Sequence, residues 1–180
     1  LLEAESRASL QFDRFAPRLP FGPAFDQRAK TDPRKRDDIT IVALAAASGM
    51  RSVSALYETG FASQPDSRGR DDGLQLSDTY ITAAAHCAPP GNRPSREEFL
   101  ACRSYLQEEI ELLKNVKVVV VLGRFAMEAY LNILLEQRVI KRRSASPFGH
   151  NVRHEMPRDL PTLLYSYHPS RQNTQTGRLT

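Results

Sequence analysis

Lys117-Val118-Val119-Val120-Val121-Leu122-Gly123-Arg124-Phe125-Ala126-Met127-Glu128-Ala129-Tyr130-Leu131-Asn132-Ile133-Leu134-Leu135 decides how the rest of the chain is read. Lys117 to Leu122 holds a short, continuous run of apolar and β-branched residues, as a strand covered on both faces should. Gly123 ends it, and a helix is expected from Phe125 to Leu135. A strand feeding a helix in this way is half of a βαβ unit, which needs further parallel strands to pair with.

The flanking sequence supplies them. Upstream, Ile39 to Ala45 is nearly continuous and apolar and reads as the first strand. Val53 to Gly60 suits a short helix closed by Gly60 at its C-terminal cap. Thr79 to Ala85 gives a second strand. Ser95 with Glu98 three residues on forms a capping box, which predicts a helix to about Leu113. Downstream, Arg138 to Ser146 is a basic loop and Leu160 to Tyr165 a fourth strand. The expected fold is therefore α/β, a three-layer sandwich with a four-stranded parallel sheet over residues 39–180. Residues 1–38 read as a divergent or irregular segment. Phe15 to Pro23 has proline too often for a helix or central strand, and Arg28 to Asp38 is a charged run.

Bulk properties narrow the function. At 180 residues the chain is one domain by length, with 41% hydrophobic and 26% charged residues, an ordinary soluble composition. No run approaches a membrane span, and Leu1 does not open a charged-then-apolar leader, so an intracellular (cytoplasmic) protein without a membrane partner is expected. A monomer is the expected state. The formal charge of +4 and pI near 9.3 favour an anionic partner. Two cysteines without a secretory signal argue against a disulfide framework and leave a thiol or metal role open. The missing initiator Met implies a start inside a longer reading frame.

Function is carried by the last thirteen residues, His168-Pro169-Ser170-Arg171-Gln172-Asn173-Thr174-Gln175-Thr176-Gly177-Arg178-Leu179-Thr180. They follow the fourth strand, so His168 stands just past a strand's carboxyl end, where open α/β sheets bind ligands. The loop offers small polar residues, a Gly and two arginines that suit phosphate, beside a His able to meet developing negative charge. Without further information it reads either as a ligand or nucleic-acid loop or as a polar turn.

The wording of this segment resembles the third motif of the type-5 uracil-DNA glycosylases. Tyr80 to Pro94 resembles the family's strand running into an iron–sulfur ligand, and Gly60 to Pro65, Arg70 to Leu74, Val118 to Gly123 and Pro147-Phe148-Gly149-His150 follow in family order. The resemblance covers roughly residues 55 to 180. It implies the uracil-DNA glycosylase fold and hydrolysis of the bond between a deaminated base and deoxyribose in DNA. His168 would then face the uracil carbonyl oxygen and stabilise the departing base anion. The loop from Ser170 through Thr176, Asn173 included, would press on DNA where the nucleotide is extruded. Arg171 and Gln172 are candidates for insertion, with Arg178 on phosphate.

Thr82, Ala83 and Ala84 lie where related glycosylases carry the base-reading side chain. Small residues there predict loose discrimination among deaminated bases; a well-packed buried strand is the other reading. His86 adjoins Cys87 and reads as a cluster neighbour or a surface residue, while His150 lies on a loop before the last strand and is a candidate to line the pocket. Cys87 and Cys102, fifteen positions apart, read by themselves as structural or incidental. The resemblance makes them two of the four thiolate ligands of a [4Fe–4S] cluster, and this chain has no other cysteine.

The likeness fails near the start. Val42-Ala43-Leu44-Ala45-Ala46-Ala47-Ser48-Gly49-Met50 resembles a worn version of the family's Gly-Leu-Ala-Pro opening, and the loop that should follow is largely absent. If Ser48-Gly49 matches the family's Ser-Gly-Asp, Met50 stands in place of the carboxylate that activates water, a role methionine cannot fill. The aromatic residue that stacks on the base has no clear counterpart. Divergence and a scrambled first fifty residues both explain this, and the chain also stops where the family continues into a final helix. Three functions follow: a glycosylase acting on uracil and other deaminated bases, a non-catalytic DNA-binding remnant of one, or an α/β protein binding a free nucleotide.

Overall fold

The computed structural model describes residues 39–45, 51–68, 71–85, 96–142, 148–157, 160–170, 173 and 175–177. The expectations for residues 1–38, Ser48 to Met50, His86, Cys87, Ser95, Arg171, Gln172 and Arg178 lie outside them. In chain order the elements are β1 (Ile41–Ala45), α1 (Arg51–Glu58), β2 (Thr79–Ala83), α2 (Arg96–Leu112), β3 (Val118–Leu122), α3 (Arg124–Glu136), β4 (Val152–His154) and β5 (Thr162–Ser166).

The sheet runs β2-β1-β3-β5-β4. The four strands expected from sequence are present and mutually parallel, with Ala45 level with both Ala83 and Leu122, and Leu122 level with Ser166. The expected four-stranded parallel sheet is nevertheless corrected to a mixed five-stranded one, because β4 pairs antiparallel with β5. This strand is three residues long, half-buried, and satisfied from one side only. Such an edge strand leaves too short and too polar a stretch for periodicity to reveal.

Alternation along the strands sorts side chains into two layers. Val42, Leu44, Val119, Val121, Leu163 and Tyr165 face the larger core, which α2 and α3 cover with Leu106, Leu131, Ile133 and Leu134. On the opposite face Ile81 packs into a smaller cluster of Val53, Leu56, Ala62, Leu74 and Leu76, supplied by α1 and the segment after it. Gly60 ends α1 as expected: it adopts φ +83°, its N–H donates to Tyr57 O, and the Phe61 N–H reaches Leu56 O at 2.7 Å. These two bonds form a Schellman closure. The C-terminus of α3 closes the same way, with Arg138 rather than glycine in the left-handed position at φ +57°.

Polar groups are also buried beneath α2. Glu109 is 4% exposed and its carboxylate accepts a hydrogen bond from the hydroxyl of Thr82 on β2. A cavity of about 330 Å³ lies beside this pair between the helices and the sheet, reaching Val116, Leu160 and Pro161 at the amino-terminal ends of the strands. Tyr130 lines it, and burial pushes the Tyr130 hydroxyl up to about 12. Because the folded protein holds that proton more tightly than the unfolded chain, the contribution is intact below pH 10 and is lost as pH rises towards 12. Stability should therefore fall by roughly 2–3 kcal/mol across that window. Urea denaturation in alkaline buffers should show a smaller decline for Tyr130→Phe, whereas an identical decline would remove this residue as its source.

Candidate active site at the carboxyl edge of the sheet

The parallel register brings four strands to a common edge. Beyond the last paired residues, the Ala84 N–H donates to Ala45 O and the Gly123 N–H to Ser166 O, each at 2.8 Å. The strand order reverses at β1, with β2 on one side and β3 on the other, and ligand crevices form at such switch points. Gly123 joins β3 to α3 at φ +101°, a conformation that side chains resist. A Cβ on it would stand 3.4 Å from the Cβ of His168. The backbone angle therefore calls for glycine here, while a Cβ would meet His168 only at ordinary packing distance.

His168 follows β5 and is half-buried at this edge. Proline at 169 has the fixed φ that suits the centre of a three-residue turn, and the Ser170 N–H closes that turn onto His168 O at 2.7 Å. The same carbonyl accepts a second bond from Asn173 Nδ2 at 2.8 Å, while the Asn173 N–H donates to Ser170 Oγ at 3.3 Å. Asn173, expected to meet DNA or base, thus has its amide group on the loop's own backbone.

The other expected contacts are placed less directly. Thr82 and Ala83 sit just short of the edge, 6% and 2% exposed, and the Thr82 hydroxyl is committed to Glu109 under α2. Ala84 and Ala85 are buried as well. The structure thus gathers His168 and Asn173 but keeps Thr82 within the core. The described part of the basic loop, through Arg142, follows the far end of α3. Thirteen residues of helix put that end about 20 Å from Gly123.

Sequence reasoning named His150 as a pocket candidate but not the neighbours it meets. His150 Nδ1 lies 3.1 Å from Ser166 Oγ, and the His150 ring stacks on Tyr167 at 5.6 Å. Phe148 meets Tyr165 and Tyr167, each at 5.9 Å, and the Arg124 guanidinium stands 5.7 Å over the Phe148 ring. The available signal was Phe148-Gly149-His150, whose glycine allows a close approach. A Cβ at 149 would stand 2.9 Å from Val152 Cγ2.

A family model described as the uracil DNA glycosylase superfamily matches residues 31–180. The chain belongs to that superfamily. Among curated relatives, the type-5 uracil-DNA glycosylase of Thermus thermophilus is 47% identical over 134 residues, covering 74% of this chain and 58% of the relative. The type-5 enzyme of Pyrobaculum aerophilum is 40% identical over 135 residues, covering 74% and 55%. A type-4 uracil-DNA glycosylase of Archaeoglobus fulgidus is 42% identical over 72 residues, covering 39% and 36%. The chain thus spans little more than half the length of the type-5 relatives it matches.

The type-5 resemblance implies a [4Fe–4S] cluster, and the residues in hand do not complete one. Cys102 is buried on α2 at 2% exposure, Cys87 lies outside the described residues, and the sequence carries no third or fourth cysteine. No group of three or more His, Cys, Asp or Glu side chains among the described residues is arranged to hold a metal ion. Two thiolates are half the donor set such a cluster needs, so no step here is derived through it.

The contact between Gly123 and His168 is open to test in the superfamily edge as it stands. Gly123→Ala should lower stability by roughly 1–2 kcal/mol from the left-handed backbone alone. It should also shift the His168 amide resonance. A variant as stable as the parent, with His168 unshifted, would show that the glycine is not required.

Proposed function

We propose that this chain carries the base-releasing edge of a DNA repair glycosylase that hydrolyses the N-glycosidic bond of uracil and other deaminated bases. The observation that carries this reading is His168, held at the carboxyl end of β5 inside the region matched to the superfamily. In the reaction the bond between the base nitrogen and C1′ breaks. Water gives its hydroxyl to C1′, and the departing base takes up a proton. Negative charge gathers on the base and oxocarbenium character on the sugar. A rigidly placed His168 stabilises the former electrostatically, without reorganising as charge develops. Arg171, Gln172 and Arg178 are the proposed DNA contacts, with Asn173 supporting the loop. Cys87 and Cys102 are assigned to half of a cluster site. The working picture is an intracellular monomer acting on DNA; no helix among the described residues is long and apolar enough to cross a membrane.

A second reading is favoured by Met50, which takes the place of a water-activating carboxylate if Ser48-Gly49 matches the family's Ser-Gly-Asp. It makes the chain a DNA-binding remnant that meets phosphates without releasing base. Release of free uracil from a labelled oligonucleotide separates the two. The first reading expects release, reduced on the order of 100-fold by His168→Ala. Salt-dependent binding of the same oligonucleotide without release would establish the second.

A further inference from the structure

His150 was brought to the edge by β4, and its contacts concern the peptide that carries His168. Ser166 Oγ lies 3.1 Å from the carbonyl oxygen of Tyr167 and 3.1 Å from His150 Nδ1. A serine has one hydrogen to give. A carbonyl only accepts, so that hydrogen goes to Tyr167 O, and Ser166 Oγ turns a lone pair towards the imidazole. Nδ1 of His150 must then carry the proton. The result is a directed chain, from His150 Nδ1–H to Ser166 Oγ–H to Tyr167 C=O. That carbonyl belongs to the peptide unit whose nitrogen is His168 N.

The ring of Tyr167 is gripped at the same time. His150 stacks on it with an interplanar angle of 20°, and Phe148 meets it tilted at 55°. Residue 167 is therefore held through both its carbonyl and its side chain. On its other side His168 is fixed by the two donors on its own carbonyl. We infer that His150, acting through Ser166 and the clamped Tyr167, is a positioning residue that sets the backbone orientation of His168. The relay itself rests on geometry alone; its importance for base release rests on the function proposed above.

The test uses the full chain and begins with a readout that needs no activity. Imidazole ¹⁵N spectra should show His150 protonated on Nδ1 whenever the ring is neutral, and Ser166→Ala should release that preference and move the Tyr167 and His168 amide resonances. Ser166→Thr, which keeps the hydroxyl, should restore them. Neutral His150 protonated on Nε2, or a Ser166→Ala variant whose His168 resonances do not move, overturns the inference. With uracil-containing oligonucleotide as substrate, His150→Ala and Ser166→Ala should each lower kcat about fivefold to tenfold with KM unchanged. His150→Asn, which keeps an N–H donor there, should recover most of it. In a His168→Ala background neither change should cost more. A chain that releases no uracil refutes the proposed function while the spectra still decide the relay; a loss that persists fully without His168 refutes the positioning role.

Discussion

The in-register parallel pairing of β1 with β3, and of β3 with β5, is the constraint from which the site follows. A slip of one residue would carry Val119 and Val121 out from under α2 and α3 and turn their neighbours inward. Held in register, Leu122 and Ser166 finish side by side, and the bond from the Gly123 N–H to Ser166 O extends the ladder by one rung. That rung sets the β3–α3 corner against the start of the His168 loop. The close pass between Gly123 and His168 is thus a consequence of sheet packing, paid for by core burial remote from the edge.

The core that enforces this register is not wholly apolar. Burying a carboxylate is costly unless it is paired, and Glu109 receives the Thr82 hydroxyl across the gap between α2 and β2. Arg103, farther back on α2, forms an ion pair with Glu136 of α3 and donates to Asn132 O at 3.3 Å. These directional bonds tie α2 to a strand on one side and to α3 on the other. Apolar packing tolerates sliding better than such bonds do, so they fix the angle at which α2 crosses the sheet.

The site joins two mechanical styles. Along β1, β2 and β3 the edge is made of small residues, Ala45, Ala84 and Gly123, placed by sheet hydrogen bonds. Around β5 it is made of bulky rings and a loop bonded to itself. The hairpin-like return from β4 into β5 joins the two, because an antiparallel strand starts at the edge where its parallel neighbour ends. Thr162 and Arg153 both donate to Glu155 at the foot of that return, and these bonds lower the pKa of its carboxyl.

Much of this was legible in the sequence, where the signal is local. A continuous valine run marked β3 and an apolar run marked β1, Gly60 and Gly123 marked corners, and His168-Pro169-Ser170 marked a loop after a strand. The two cysteines of the sequence supply at most half of a four-thiolate donor set from these 180 residues. What lay outside local pattern came only with tertiary structure. β4 has no periodicity of its own and exists because β5 offers an open edge. Thr82 is drawn beneath α2 because the strand's alternation and the buried Glu109 meet there, not at the edge. Asn173 serves its own loop because the turn at Pro169 brings the His168 carbonyl within reach. His150 finds Ser166 sixteen residues away because β4 runs down the sheet as β5 runs up. Sequence specifies which residues prefer strand, helix or turn; which side chains meet depends on how the chain is folded back across many residues.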